Sequence, residues 1–236
     1  MSRCDFYPIN FIAFFFFFFF QHPIHTTPKM LRKYSTSCLL KSFRLAMGRV
    51  SSQAMILTSA TSNLNELHGM TLGSVCSLSV FPSPLIQFNL HLPSYTSSEL
   101  HKHKYLALHV LPPTKNSVHL SRIFAKGVKL NKGAKLAPTK EEKIDGQVFH
   151  EMTKPFTRLQ KGVDYLFYNI SDVQIPILSN VETTLICQTR NTFPVDNHEI
   201  WVADVVDIIH NKTQKSGGIL YFDRGFHKIG KSLSED

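Results

Sequence analysis

The chain has 236 residues, of which 43% are hydrophobic and 18% charged, a composition typical of a protein that folds around a packed core. Lysine and arginine outnumber aspartate and glutamate by 26 to 17, giving a net charge of +9. Residues 1–29 carry +1 of this charge and residues 30–50 carry +5, so the rest of the chain gives little support to a nucleic-acid partner. The four cysteines have no paired spacing, which argues against a zinc site or a disulfide framework.

Residues 1–50 differ in character from the rest of the chain. The apolar run at residues 11–20 is too short for a membrane-spanning helix, which needs about 20 residues, and it lacks the flanks of a secretory signal. We expect residues 1–29 to be a non-native or disordered extension. Residues 30–48 are rich in arginine and serine and free of acids, which predicts a mitochondrial transit peptide. The predicted location is the mitochondrial matrix, with the cytoplasm as the alternative, and no membrane partner is expected.

The body of the chain is dominated by segments typical of β-strands, which are short, rich in β-branched residues and bounded by turns. Two helices are expected, one near Ser94, where Thr96 and Glu99 form a capping-box pattern, and one at residues 116–127. Residues 128–160, rich in lysine and glycine, are predicted to be a loop or insert. The predicted fold class is mainly β, a closed or nearly closed β-barrel with short covering helices. The expected strands lie within residues 54–60, 72–80, 84–92, 105–112, 181–193, 198–209 and 218–230.

A series of motifs follows from residue 69 onwards. The chain reads GMTLGSVCSLSVFPSPL, then SYT before the first expected helix, and later IPILSNVETTLICQT, DNHEIWVADVVDI and GILYFDRGFHKI. In this order the motifs resemble those of the flavin-reductase-like, FMN-binding split-barrel family, which includes the reductase components of two-component flavin monooxygenases. The resemblance covers about residues 45–230 and implies one split-barrel domain at residues 49–230, followed by a tail at 231–236.

The resemblance implies an enzyme, an NAD(P)H-dependent flavin reductase that binds FMN and transfers hydride from nicotinamide to flavin. FAD is the alternative flavin, and the donor is NADH or NADPH. Small hydroxyl residues would allow close approach of a ring and supply donors, and a helix N-terminus would stabilise a phosphate. An ordinary serine-rich strand and simple helix capping are the alternative interpretations. The cofactor-binding residues that the family implies are Thr71, Ser74, Val75, Ser77, Ser94 and Thr96.

His198 is the catalytic residue that the resemblance implies, because the family has a histidine in a G-D-H motif beside the flavin and the nicotinamide. Here Asp196 and Asn197 occupy the glycine and aspartate positions. Asparagine tolerates a left-handed turn, but the missing carboxylate removes an orienting partner of the imidazole. A hydrogen-bonded histidine without a chemical role is the alternative. The other histidines lack metal-ligand spacing and are expected at the surface, so no metal is predicted.

The resemblance also implies a homodimer, with the flavin near its interface, and a flavin-dependent monooxygenase as partner. Two other functions stay open. One is a mitochondrial assembly or scaffold protein that binds FMN weakly or not at all, which the altered DNH motif and the insert at 128–160 favour. The other is an oxygen-using flavin oxidase, which the sequence does not separate from the reductase.

Overall fold

A computed structural model of the chain describes residues 36–125, 154–213 and 215–233, and it assigns three short strands between residues 128 and 150. The predicted extension at residues 1–29 lies outside the described residues, as does most of the predicted insert. The chain divides into two compact units, residues 1–41 and 42–236, and helix α1 (Thr36–Met47) crosses their boundary. Within the described residues, no helix is both long and apolar enough to cross a membrane.

The larger unit is built mainly of antiparallel strands. Its main sheet has the order β14-β13-β1-β5-β11-β12-β4-β3, and β2 also pairs with β1; β9 pairs with β10, and β6, β8 and β7 form a small third sheet. These strands are β1 (Ser52–Ser59), β2 (Gly69–Leu72), β3 (Cys76–Ser79), β4 (Leu85–His91), β5 (Tyr105–Val110), β6 (Val128–Lys129), β7 (Lys143–Ile144), β8 (Gln147–His150), β9 (Tyr165–Ile170), β10 (Val173–Leu178), β11 (Thr183–Val195), β12 (His198–His210), β13 (Ile219–Phe222) and β14 (Gly225–His227). Helices α2 (Tyr95–His103) and α3 (Lys115–Ala125) and a 3-10 helix (Pro155–Arg158) accompany them.

The prediction of a mainly β fold with short covering helices is confirmed, with local corrections. Residues 72–80 do not form one strand, because β2 pairs with β1 whereas β3 pairs with β4, and the chain changes partner between them. The hairpin of β9 and β10 was not predicted. Its turn places Ser171 at φ 53°, a left-handed conformation that glycine or asparagine usually marks.

The start of α2 also differs from the capping-box prediction. The cap is Ser94 and not Thr96, because the Ser97 N–H donates to Ser94 Oγ at 3.2 Å. Ser94 has extended backbone angles, as an N-cap residue requires, whereas Thr96 already lies in the helix. The helix ends at Lys104, whose left-handed φ of 65° lets its N–H bond to the Leu100 carbonyl.

Side-chain alternation along β12 gives the main sheet a buried face and an outer face. Trp201 and Ala203 are fully buried, and the Trp201 ring stacks on Phe88 of β4 with centroids 6.3 Å apart. The intervening residues point the other way, since successive side chains of a strand alternate. We call the side that carries His198 and Ile200 the outer face of β12; it ends at the bulge after Val205, where Val206 has no partner and the alternation reverses.

The expectation that the histidines other than His198 lie at the surface is wrong for His109 of β5. Its ring is fully buried, Nδ1–H donates to the Ile56 carbonyl at 2.9 Å, and Nε2 accepts from the Leu178 N–H at 3.0 Å. Burial lowers the pKa of His109 to about 4 against the opposing effect of the Ile56 bond, so the ring is neutral near pH 7. A neutral imidazole with this tautomer therefore connects β5 with β1 and β10.

Candidate functional site

His198 begins β12 directly after the turn Asp196–Asn197. Asp196 has φ 49°, in the left-handed region that glycine would adopt without strain and that aspartate tolerates. The register pairs His198 with His91 of β4, and the two rings meet edge to face with centroids 4.9 Å apart. The Asn197 side-chain amide donates to His91 Nε2 at 3.0 Å. Asn197 thus orients His91, the neighbour of His198.

Ser74 and Val75 lie in the link between β2 and β3. The Ser74 hydroxyl accepts from the Asn89 N–H at 3.1 Å and lies 3.4 Å from the Asn89 carbonyl oxygen, so it is held by the backbone of β4. Asn89 pairs with Ile200, two residues beyond His198 in β12. The link therefore runs along the edge of β4 opposite β12, and the half-buried Val75 side chain packs against the core.

Ser77 and Thr71 differ in how their hydroxyl groups are engaged. Ser77 of β3 is exposed, and its hydroxyl makes no hydrogen bond within the described part of the chain. The Thr71 hydroxyl donates to the Ser121 carbonyl of α3 at 2.8 Å. Thr71 thus ties β2 to α3, and its side chain faces α3, whereas Ser74 contacts β4.

The first turn of α2 contains the remaining two predicted residues, Ser94 and Thr96, both buried. The Ser94 hydroxyl oxygen accepts from Ser97, which leaves its own proton free to donate. Within the described residues, Thr96 makes no side-chain hydrogen bond. This helix end therefore offers two hydroxyl donors together with the positive end of the helix dipole.

Glu199 connects α2 to β12 next to His198. Its carboxylate accepts from the Ser97 hydroxyl at 2.5 Å and lies 2.9 Å from His101 Nε2. Burial opposes its ionisation, but the bonds from Ser97 and His101 and the positive charge available to His101 outweigh burial and lower the pKa of Glu199. The indole N–H of Trp201 acts in the same direction, although its geometry falls short of a hydrogen bond.

The structure thus places the predicted residues in three groups. His198 lies at the start of β12 with Ser74, Val75 and Ser77 on the far side of β4, Ser94 and Thr96 lie at the start of α2, and Thr71 faces α3. The first two groups are adjacent, because the Leu92 N–H donates to the Asn197 carbonyl at 2.8 Å and Ser94 follows two residues later.

Sequence reasoning missed two residues of this region, His91 and Glu199. Both follow the usual strand alternation, so nothing in their own spacing marks them. The signal would have been the pairing of β4 with β12, which sets His91 opposite His198, and a register between strands more than 100 residues apart cannot be read from one sequence.

With this geometry in place, residues 47–230 match the model of the flavin reductase like domain. The chain belongs to the flavin reductase like family. The family's members are oxidoreductases that act on flavins with NAD(P)H, and the prediction of an enzyme of this kind is confirmed.

Solved structures of flavin reductases share the fold. Nitrilotriacetate monooxygenase component B of Mycobacterium thermoresistibile is 16% identical with a TM-score of 0.59, covering 86% of this chain and 96% of its own. A flavin reductase domain protein of Arthrobacter sp. FB24 is 18% identical with a TM-score of 0.57, covering 84% of this chain and 99% of its own. The flavin reductase HpaC, solved with NADP+, is 20% identical with a TM-score of 0.56, covering 80% of this chain and 97% of its own.

Proposed function

We propose that this chain binds FMN and catalyses hydride transfer from NADH or NADPH to the flavin. The observation that carries the proposal is the adjacency of His198 to the hydroxyl-bearing start of α2, in a chain of the flavin reductase like family. The complex of the related reductase HpaC with NADP+ supports a nicotinamide donor. FAD is the alternative flavin.

The side chains at this place fit an FMN molecule. Ser94 and Thr96 would donate to the phosphate at the positive end of α2, where backbone N–H groups and the helix dipole stabilise an anion. Ser77 would supply a donor from β3, and the exposed part of the half-buried Val75 would give the ring an apolar contact. Bound FMN supplies the hydride-accepting chemistry, and the protein holds the two rings in contact.

His198 would hydrogen-bond or carry a proton beside the rings, since an imidazole does both near neutral pH. Because Asn197 bonds to His91, the neighbour that limits the motion of the His198 ring is itself held in place. We expect His198→Gln to retain FMN and to slow its reduction by the nicotinamide nucleotide. Loss of FMN retention together with loss of folding would make His198 a structural residue only.

A substitution of Thr96 tests the proposed flavin site. Thr96→Val keeps the shape of this buried side chain and removes its hydroxyl, so we expect FMN retention after desalting to fall by about tenfold, as for a lost charge-assisted hydrogen bond. Thr184→Val is the matched control, because Thr184 is equally buried but lies in β11. Equal retention in wild type, Thr96→Val and Thr184→Val would contradict the proposed place of the phosphate.

The outer face of β12 supports a homodimer. Ile200 of β12 is 37% exposed, and Phe193 and Val195 of β11 are about half exposed. Phe193 pairs with Ile200 and Val195 with His198, so apolar side chains surround the histidine. A second copy on this face would exclude water from the reacting rings. A flavin-dependent monooxygenase is the partner that we propose for the reduced flavin.

We also propose that the protein is imported into the mitochondrial matrix, with the cytoplasm as the alternative. Helix α1 supports import, since it carries Lys41 and Arg44 with exposed Leu39, Leu40 and Phe43, and basic amphipathic segments are typical of transit peptides. A fluorescent tag at the C-terminus should co-localise with mitochondria, and Lys41→Glu with Arg44→Glu should abolish this. Diffuse fluorescence of the unmutated chain would favour the cytoplasm.

One observation favours the scaffold alternative. The hydroxyl groups of Thr71 and Ser74 are both engaged with main-chain groups of neighbouring elements, so two of the predicted flavin contacts already have partners. A protein that neither retains FMN nor speeds nucleotide oxidation would match a mitochondrial scaffold. A protein that keeps its flavin reduced until oxygen is admitted, and then forms hydrogen peroxide stoichiometrically, would match an oxidase.

A further inference from the structure

A cavity lies between α3, the start of β1, the end of β2 and the hairpin of β13 and β14. Its volume is about 410 Å³, within the range of small-molecule sites. Thr71 lines it, but none of the other predicted flavin-binding residues does.

The charges around this cavity have one sign. Arg122 of α3 and Arg224, in the turn between β13 and β14, both line it, and among the described residues no acidic side chain does. Within the described part of the chain, neither guanidinium forms a salt bridge, in contrast to Arg190, which pairs with Asp204. Two uncompensated guanidinium groups beside one space favour an anion with two negative charges.

Aromatic rings form another wall of the same cavity. Tyr221 and Phe226 are cross-strand partners with centroids 5.4 Å apart, and the Arg122 guanidinium lies 6.0 Å from the Phe226 centroid. This cation–π contact holds the guanidinium of an exposed side chain close to one position. The buried side chains of Ala54 and Leu72 add an apolar floor, so the cavity has surfaces for both a charged group and a ring.

We infer that this cavity binds a phosphate monoester attached to a ring compound, with Arg122 and Arg224 on the phosphate and Tyr221 and Phe226 against the ring. The inference deepens the proposed function and rests on it for the choice of ligand. FMN carries such a monoester at its 5′ position and NADPH carries one at its 2′ position. NADH has only the pyrophosphate diester.

Calorimetric titration of the full chain at low salt tests the site, with adenosine 2′,5′-bisphosphate, FMN and unphosphorylated adenosine as probes. At least one phosphorylated probe should bind, and Arg224→Gln or Arg122→Gln should raise the Kd of that probe by about tenfold or more. Arg158→Gln is the control, since Arg158 is exposed on the 3-10 helix and outside this cavity. Both target arginines are exposed, so melting temperatures should stay close to that of wild type.

The two phosphorylated probes distinguish the two sources of phosphate. If the substitutions raise the Kd of the bisphosphate, Arg224→Gln should also raise the KM for NADPH more than the KM for NADH. If the substitutions raise the Kd of FMN, the FMN phosphate lies in this cavity and not at the start of α2, and the bisphosphate should compete with FMN. The inference would be overturned if both phosphorylated probes bind both arginine variants with the Kd of wild type, whether or not the protein reduces flavin. If binding depends on the arginines but neither NADH nor NADPH reduces FMN in the presence of the protein, the proposed function would be overturned and the anion site would stand.

Discussion

His109 shows how much depends on the surroundings of a single side chain. From the sequence it is one of several histidines beside hydrophobic residues, and an imidazole is usually at least partly exposed. In the fold, both ring nitrogens are occupied by main-chain groups of two different strands, β1 and β10. Those strands are far apart in sequence, so the bonds could not be inferred before the fold was known.

The buried ring makes the stability of the protein depend on pH. In the unfolded chain the pKa of His109 has its ordinary value of 6.5, whereas in the folded chain it is about 4. Between these values only the unfolded chain binds the proton. The contribution of the neutral His109 ring to the free energy of unfolding is therefore complete above pH 6.5 and falls as the pH drops towards 4. The loss by pH 4 is about 3 kcal/mol of the free energy of unfolding.

Denaturant unfolding of wild type and His109→Asn at pH 7 and pH 4 measures this contribution. The asparagine amide can still donate to the Ile56 carbonyl but leaves the Leu178 N–H unpaired, which costs about 1–3 kcal/mol at pH 7. Because asparagine does not titrate, the advantage of wild type should shrink or reverse at pH 4. A constant difference between the two proteins at both pH values would mean that folding does not lower the pKa of His109.

At the scale of elements, α2 is positioned by Glu199 of β12. Ser97 and His101 both bond to its carboxylate, so one side chain fixes the helix that carries Ser94 and Thr96 against the strand that begins with His198. Glu199 is a positioning residue in this account, because it acts on the proposed flavin site through Ser97 and His101.

We expect Glu199→Gln to lower both stability and flavin affinity. Losing the charged acceptor should cost about 1 kcal/mol of the free energy of unfolding, or about 2–4 °C in Tm, and several-fold in the Kd for FMN. Glu66→Gln is the control, because Glu66 is exposed in the loop between β1 and β2. A lower Tm with unchanged FMN affinity would limit Glu199 to a structural role.

The sequence predicted most strands and both covering helices because their alternation and turns are local properties. It did not predict the separation of β2 from β3, since that break follows from which strand each segment pairs with. It missed the β9–β10 hairpin because Ser171 and Asp172 form the turn without a glycine. The candidate site was predicted through family motifs, and the residues that sequence missed, His91 and Glu199, depend on strand register.

At the scale of the whole molecule, the apolar outer face of β12 predicts the oligomeric state. We expect light scattering after size exclusion to give about twice the chain mass of 26.9 kDa, because exposed apolar side chains on one face favour burial against a second copy. Phe193→Lys with Ile200→Lys, a cross-strand pair on this face, should reduce the measured mass to that of one chain.

Val163→Lys is the control for this measurement, since Val163 is 57% exposed but lies before β9, away from the outer face. It should leave the dimer intact. A single-chain mass for the unmutated protein would contradict the dimer, and a dimer that survives both lysines would place the interface on another surface.

Anaerobic reduction is the most direct test of the flavin reductase activity proposed for this chain. The purified protein is incubated with FMN, and the flavin absorbance is followed after addition of NADH or NADPH without oxygen. We expect the visible flavin band to bleach much faster than in free FMN with at least one of the two nucleotides. Bleaching no faster than in free FMN with either nucleotide, by a folded protein, would contradict the account.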